Sequence, residues 1–286
     1  DAIKLESTGA LDLTFGTGGI FVASESVDAG NHMARIARVA GGYRVTGHSP
    51  TTPATGGSPS TCKVFGLTAT GALDAGFGTA GIAAAPTPGD KPRNCSSLAV
   101  QGDGRILLGG RDPDAGDGYL GRLLPNGTPD SSFHVDQIAA QMSAVTALGV
   151  SSGGSIFVAG HDRAGLSGAL VVRLLSDGTL DALFGRAGVA KVELNARRVS
   201  YPSISDMKIV ANDAVVVAGA SYDTGSAFVA RLLGNSAGGS PGILSLQQSR
   251  VLATEQGGKA LLSVRRFGGS DGVVADDTNN ANDIFL

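Results

Sequence analysis

Four aspartates at regular spacing are the first candidates for chemistry in this chain. They are Asp12, Asp74, Asp130 and Asp181, and each stands in a copy of one phrase, in its fullest form Gly-x-Leu-Asp-x-x-Phe-Gly. A ring of carboxylates could bind calcium, which prefers oxygen ligands. Each aspartate, however, lies beside a turn, where a carboxylate accepts backbone N–H bonds and fixes the chain reversal. We therefore predict a structural role for all four.

A second set of candidates comes directly after the second predicted strand of each repeat. Its members are His48, Arg111, His161 and Ala220, and we expect them on one rim of the molecule. A metal site would need three ligands that converge on one point, and side chains on separate repeats rarely do so. We predict no catalytic, cofactor-binding or metal-binding residue in this set.

Acidic stretches offer one further kind of site. Residues 112–117 and the group Asp271, Asp276 and Asp277 carry oxygen ligands, but neither has the spacing of a complete calcium loop. We predict solvated loops and leave calcium as the one open cofactor. The chain has no Gly-x-Ser-x-Gly elbow, His-Glu-x-x-His helix or P-loop. These motifs would have indicated an enzyme, and we predict that the chain is not one.

The spacing of the repeated phrase predicts the fold. Successive motif aspartates are 62, 56 and 51 residues apart, a period that is typical of repeat architectures. The third repeat reads as four short apolar segments joined by tight turns, at 144–150, 156–160, 169–175 and 188–192. Four-stranded units of this length predict an all-β chain folded as a β-propeller. The motif phenylalanines then read as packing between blades; they are Phe15, Phe77, Phe133 and Phe184.

The predicted number of blades is four, with a fifth left open. The chain enters in mid-repeat, so that residues 2–5 match a third strand and residues 19–22 a fourth. We expect this fourth strand to complete the last blade and close the ring, which removes exposed edges. A fifth blade would form if the C-terminal segment supplied its two inner strands. Basic residues share the third-strand position, where we expect solvated side chains or ion pairs between blades; they are Lys4, Arg122, Arg173 and Arg231.

The repeated phrase resembles the delta-60 repeat of large bacterial surface and secreted proteins. The resemblance covers residues 4–234, which we take as one propeller domain within 1–234. The third copy departs from the pattern, with Pro129 in place of leucine and His134 in place of the last glycine. The resemblance implies a fold and an extracellular or cell-surface location, but it implies no reaction.

The C-terminal segment has a different sequence pattern. After a linker at 235–241, residues 242–286 resemble the opening half of a Calx-beta domain, an immunoglobulin-like sandwich, through the turn at 255–258 and the strand at 264–266 before Gly268. Calx-beta relatives bind calcium through acids that include the one matching Glu255. An alternative alignment places residues 252–262 on the two inner strands of the second repeat. We favour the Calx-beta interpretation.

Half a sandwich would expose unpaired strand edges, which soluble proteins avoid. We expect either that the natural polypeptide continues past Leu286, or that a neighbouring subunit donates strands in a head-to-tail assembly that could grow into a filament. Self-association through the C-terminal strands is therefore a predicted interaction.

Charge and hydropathy exclude two classes of partner. The chain has a net charge of −3 and a pI near 5.8, so it lacks the basic surface that nucleic acids require. No apolar run approaches the roughly 18 residues of a membrane-spanning helix. A protein or a surface glycan remains as the expected ligand.

The two cysteines are predicted to form a disulfide. Cys62 opens the third strand of one repeat and Cys95 opens the first strand of the next, and in an up-and-down blade both openings lie on one face. The bond would tether the loop at 49–61, whose serine, threonine and proline content also suits O-glycosylation, although we expect a bare loop.

The combined prediction is a non-catalytic extracellular module with a structural or binding role. The alternative is a propeller hydrolase or lactonase with a metal ion in the central channel.

Overall fold

The structure is a computed structural model and describes most of the chain. The described residues are 2–23, 35–50, 60–86, 94–112, 115–133, 136–163, 168–192, 202–221, 227–232, 243–246, 262–267 and 283–284. They form antiparallel β-sheets with one short helix, as the all-β prediction requires.

The strands form five sheets that follow one another along the chain, namely a two-stranded N-terminal sheet and four further sheets, which are numbered first to fourth. The N-terminal sheet contains β1 (Ala2–Ile3) and β2 (Ile20–Phe21). The first sheet contains β3 (Ile36–Val39), β4 (Gly42–Pro50), β5 (Ser60–Thr68) and β6 (Ile82–Ala84). The second sheet contains β7 (Asn94–Val100), β8 (Ile106–Asp112) and β9 (Asp117–Leu123).

Helix α1 (Asp136–Gln141) separates the second sheet from the third. The third sheet contains β10 (Met142–Val150), β11 (Ile156–Asp162), β12 (Ala169–Leu174) and β13 (Val189–Val192). The fourth sheet contains β14 (Pro202–Ile209), β15 (Val215–Ser221), β16 (Ala227–Leu232), β17 (Ile243–Leu246), β18 (Leu262–Phe267) and β19 (Asp283–Ile284).

Tight turns of left-handed backbone set the hairpins between the first and second strands. Gly41, Gly104 and Gly154 have φ of 79°, 85° and 87° at these turns, where a residue with a Cβ would be strained. The fourth sheet has Asn212 and Asp213 there instead, with φ of 60° and 55°. Asparagine and aspartate tolerate this region better than other residues with a side chain. Successive strands are therefore neighbours in each sheet.

The core consists of hydrophobic clusters between successive sheets. Each motif phenylalanine is buried in the cluster that joins its own sheet to the next, so the prediction of packing between repeats is confirmed. Their exposed fractions are 2% for Phe15, 0% for Phe77, 6% for Phe133 and 1% for Phe184. Burial of such a side chain contributes about 2–3 kcal/mol.

The last sheet is completed by a strand that the sequence analysis did not assign to it. Strand β16 pairs with β17, whose Ser245 lies opposite Ala230, whereas β2 pairs with β1. The prediction that the N-terminal strand completes this sheet is therefore wrong, because β17 already occupies the free edge of β16. The remainder of the Calx-beta-like segment lies mostly outside the described residues.

The second sheet has three strands where four were predicted. In the other copies the last motif glycine has φ of 58° (Gly16), 57° (Gly78) and 55° (Gly185), and a Cβ on Gly16 or Gly78 would lie 2.1 Å from a backbone oxygen. The third copy has His134 at this position, and a residue with a side chain is strained in the left-handed backbone that the other copies adopt there. Helix α1 follows, and its buried Ile138 packs in the cluster between the second and third sheets.

The strand order gives the series of sheets two different faces. The turns between first and second strands and the motif copies lie on one face, which we call the motif face. The second strands end on the opposite face, which we call the loop face. No helix among the described residues is long and apolar enough to cross a membrane.

The predicted disulfide is confirmed. Cys62 in β5 and Cys95 in β7 are bonded, and their Cα atoms are 5.7 Å apart. Both side chains are buried in the cluster between the first and second sheets. The bond thus joins two neighbouring sheets covalently and closes a sequence separation of 33 residues.

Candidate functional site

The four motif aspartates all accept a backbone hydrogen bond through one carboxylate oxygen. In each copy Oδ1 accepts the N–H of the residue two positions later, at 3.0 Å for Asp12, 3.1 Å for Asp74, 3.1 Å for Asp130 and 3.0 Å for Asp181. The phenylalanine N–H three positions later donates to the aspartate's backbone carbonyl. The predicted turn-fixing role is therefore confirmed.

The other carboxylate oxygen of each aspartate meets a cation. The ion pairs with Oδ2 are Lys4–Asp12 at 2.7 Å, Arg44–Asp74 at 3.3 Å, Arg122–Asp130 at 2.9 Å and Arg173–Asp181 at 2.8 Å. Each pair lies within one repeat, rather than between blades as the sequence analysis considered. Three of the cations occupy the shared third-strand position, and they are Lys4, Arg122 and Arg173.

The first sheet achieves the same pairing from a different strand. Its third-strand position is Gly66, where a Cβ would lie 2.7 Å from the Phe77 side chain. Arg44 lies directly opposite Gly66 in the adjacent strand β4 and supplies the guanidinium instead. The sequence analysis missed this exchange, although the glycine in a basic position was a visible signal.

The arginines also stack on the motif phenylalanines. The guanidinium carbon lies 4.3 Å from the Phe77 ring centroid for Arg44 and 4.2 Å from the Phe133 centroid for Arg122. The corresponding distance from Arg173 to Phe184 is 5.1 Å. A cation within about 6 Å of a ring face is attracted by the ring quadrupole. The aspartate and the phenylalanine of one motif copy therefore hold the same guanidinium.

Each of the first three motif copies also contacts the turn at the start of the next copy along the chain. The N–H of Gly16 donates to Thr70 O, and that of Gly78 donates to Asn126 O, both at 2.7 Å. A Cβ on Gly71, in the second copy, would lie 2.7 Å from Gly16 N. The third copy lacks this glycine, and a guanidinium N–H of Arg122 donates to Ser176 O instead. We call this assembly of motif aspartate, phenylalanine, cation and neighbouring turn the interblade joint.

Burial and charge act in opposite directions on the joint carboxylates. Burial by itself raises the pKa of Asp130, but hydrogen bonds from Ser132 and the Arg122 charge outweigh it and leave the pKa below its usual value. The Lys4 and Thr14 hydrogen bonds lower the pKa of Asp12 to about 2. These groups stay ionised at neutral pH and act as acceptors.

The described aspartates do not gather into a metal-binding cluster. Each motif aspartate is bound to its own turn and to a cation of its own repeat, and no group of three potential metal ligands occurs among the described residues.

On the loop face, the predicted rim residues occupy equivalent positions near the ends of the second strands. His48 lies opposite Cys62, Arg111 opposite Gly118, His161 opposite Ala169 and Ala220 opposite Ala227. They therefore lie inside the strands rather than directly after them. The side chain of His48 is outside the described residues, and Arg111 is exposed.

His161 is held between two sheets. A ring nitrogen, Nε2, lies 2.9 Å from Oγ of Ser203 in the fourth sheet. Burial lowers the pKa of His161, and the positive charge of Arg111 in the second sheet lowers it further. The imidazole is therefore neutral at pH 7 and links the third sheet to the fourth by a hydrogen bond.

This environment predicts a pH dependence of stability. Because the folded pKa of His161 lies below its unfolded value, the unfolded chain takes up the proton first, and stability falls as the pH drops below about 6.5. Urea unfolding at about pH 7.5 and about pH 5.5 should show a larger loss for the wild type than for His161→Gln. Equal losses in the two proteins would contradict this assignment.

The loop face also has ion pairs that the sequence analysis missed. Arg163 pairs with Asp117 of the second sheet and donates to Ala139 O at 2.6 Å. Lys191 pairs with Asp162 at 3.0 Å. The partners lie on different strands, and Arg163 and Asp117 on different sheets, so no local sequence signal indicates the pairs.

The described acidic residues of the stretch 112–117 bind other residues of the chain. Oδ1 of Asp112 accepts the N–H of Ala115 at 3.2 Å, and Asp117 pairs with Arg163. Asp114, Asp271, Asp276, Asp277 and Glu255 lie outside the described residues.

Two segments of the chain match a known protein family. Residues 101–133 and 154–184 match the model of a domain of unknown function, DUF5122, described as a beta-propeller. The two matched segments each contain a second strand, a third strand and a motif copy. Both segments are therefore similar to β-propeller repeats.

No curated protein matches the chain. A similar solved structure is that of an engineered GH43 glycoside hydrolase described as displaying both endo-xylanase and exo-arabinofuranosidase activity, with 12% sequence identity and a TM-score of 0.34. The alignment covers 82% of this chain and 49% of that chain, so the β-propeller chain spans about half its length. A TM-score of this size supports no argument about activity.

Proposed function

We propose that this β-propeller chain is a non-catalytic structural or interaction module of the delta-60 type, exposed outside the cell. One observation carries the proposal: the charged motif residues are paired with one another inside the interblade joints. Each motif carboxylate is already held by its own turn and by a lysine or arginine of the same repeat. The repeated residues are thereby explained by assembly of the fold.

The loop face is the proposed binding surface for a protein or glycan. The second and third strands are joined there by 51–59 in the first sheet, 113–116 in the second, 163–168 in the third and 222–226 in the fourth. On the motif face, by contrast, the strands before and after the motif are joined by 4–19, 69–81 and 175–188, and each of these connections contains a copy of the repeated phrase. Recognition residues concentrate on variable loops carried by a rigid scaffold.

Two features support a location outside the cell. The buried disulfide between Cys62 and Cys95 suits an oxidising compartment. The delta-60 resemblance and the Calx-beta-like vocabulary of 242–286 belong to surface and secreted proteins. We further propose that this C-terminal segment contributes to self-association, with calcium as its one candidate ligand.

Metal analysis combined with a hydrolysis screen tests the proposal. We expect purified protein to contain no stoichiometric divalent metal and to hydrolyse neither ester, lactone nor glycoside substrates. A tightly bound metal whose removal abolishes a hydrolytic activity would overturn the proposal in favour of a propeller hydrolase.

A further inference from the structure

Arg231 occupies the cation position of an interblade joint that has no motif. It lies in β16 at the position of Arg173 in β12 and Arg122 in β9. Its Nε is buried, and within the described part of the chain no carboxylate pairs with Arg231.

Strand register establishes the equivalence. In the third sheet Val172 lies opposite Val189, and in the fourth sheet Ala230 lies opposite Ser245. Arg231 therefore corresponds to Arg173. In the neighbouring second strands, Phe157 lies opposite Arg173 and Val216 lies opposite Arg231.

The connection that should supply the aspartate and phenylalanine contains neither. The connection 175–188 of the third sheet includes Asp181 and Phe184. Its counterpart in the fourth sheet is the connection 233–242, whose sequence contains no acidic and no aromatic residue. The fourth sheet thus keeps the cation of a joint, but the connection after its third strand lacks the aspartate and the phenylalanine that contact this cation in the third sheet.

Beside Arg231, one face of β16 is less covered than its equivalent in the third sheet. Along β16 the side chains of Phe228, Ala230 and Leu232 are buried against the third sheet, whereas Val229 on the other face is 37% exposed. The equivalent face of β12 is fully covered, with Val171 at 0% exposure. Arg231 lies on the same face as Val229 and is half-buried.

We infer that Arg231 and its neighbours Val216 and Val229 bind a partner segment that carries a carboxylate three residues before a phenylalanine. The chain itself contains the template. In the second sheet such a segment places a carboxylate 2.9 Å from the arginine Nε and a ring 4.2 Å from the guanidinium carbon. Charge-assisted hydrogen bonds and ring stacking would give the recognition its specificity.

The inference rests on the proposed role as an interaction module and names the chemistry of one partner. A suitable probe is a fluorescent peptide of residues 178–186, which contains Asp181 and Phe184. Fluorescence anisotropy should show saturable binding to the full chain. Replacing the peptide aspartate by asparagine, or the peptide phenylalanine by alanine, should weaken binding by about tenfold or more.

Protein variants locate the site. Arg231→Gln should weaken peptide binding about tenfold or more, Arg231→Lys should retain part of it, and Arg186→Gln, which alters an exposed arginine elsewhere, should leave it unchanged. Absence of saturable binding up to about 1 mM peptide, or equal binding by wild type and Arg231→Gln, would overturn the inference. Either result leaves the metal and hydrolysis tests of the proposed function unaffected.

Discussion

Arg122→Gln should be among the most destabilising single substitutions on the motif face. Arg122 and Asp130 have side-chain exposures of 5% and 6%, and the variant leaves the buried Asp130 carboxylate with only Arg105, whose Nε lies 3.3 Å from Oδ2 and whose side chain is 37% exposed. Loss of one partner from a buried ion pair costs about 3–5 kcal/mol, and the remaining Arg105 contact places the expected loss near the lower end. The variant also loses the contact with the Phe133 ring and the bond to Ser176 O. Urea unfolding, followed by circular dichroism, measures the change.

Arg231→Gln is the matched control in the same protein. It removes the same side chain from the equivalent strand position, but no carboxylate in the described residues depends on it. Its free energy of unfolding should lie within about 0.5 kcal/mol of the wild type. Equal losses for the two variants would show that strand position, rather than the joint, sets the cost.

Removal of the disulfide should have an effect of similar size. The bond between Cys62 and Cys95 closes 33 residues, for which the chain-entropy model gives about 3–4 kcal/mol. The free energy of unfolding of the double variant Cys62→Ala/Cys95→Ala should therefore be lower by that amount, and the variant should unfold at a lower urea concentration. Alanine keeps both buried positions apolar, so the change reports mainly the loss of the cross-link.

Peptide mapping without reductant checks the bond itself. Recovery of one peptide pair linked through Cys62 and Cys95 is expected, and the pair should separate after reduction. Recovery of both thiols in free form from native protein, or an unchanged unfolding midpoint in the double variant, would contradict this prediction.

The sequence predicted the parts of the fold that each repeat encodes locally. The motif aspartates and phenylalanines recur in register, and their turn-fixing and packing roles follow from residue type alone. The disulfide followed from the direction of strands in an up-and-down sheet. Each of these predictions needed only the repeated sequence pattern and the up-and-down order of the strands.

The parts that were missed depend on contacts between strands. Arg44 replaces the missing cation at Gly66 only because the two residues are opposite each other in β4 and β5. Strand β17 was assigned elsewhere because the connection before it lacks the motif that marks the other fourth strands. At His134 the departure from glycine was visible, but the helix that follows was not predicted.

The two faces of the molecule divide its properties. The motif face is built from paired charges and close glycine contacts, which explains why its sequence repeats. The loop face carries connections of different lengths together with the exposed Arg111 and the inter-sheet bond of His161. This division is the physical basis for placing recognition on the loop face.

A double-mutant cycle on Arg122 and Asp130 tests most directly whether the motif is a structural joint. Unfolding free energies of the wild type, Arg122→Gln, Asp130→Asn and the double variant are compared in EDTA and in calcium. The joint predicts a coupling energy of about 1–3 kcal/mol that is the same in both buffers. Additive losses, or a stability that calcium raises in the wild type and not in Asp130→Asn, would contradict it and indicate a metal-binding carboxylate.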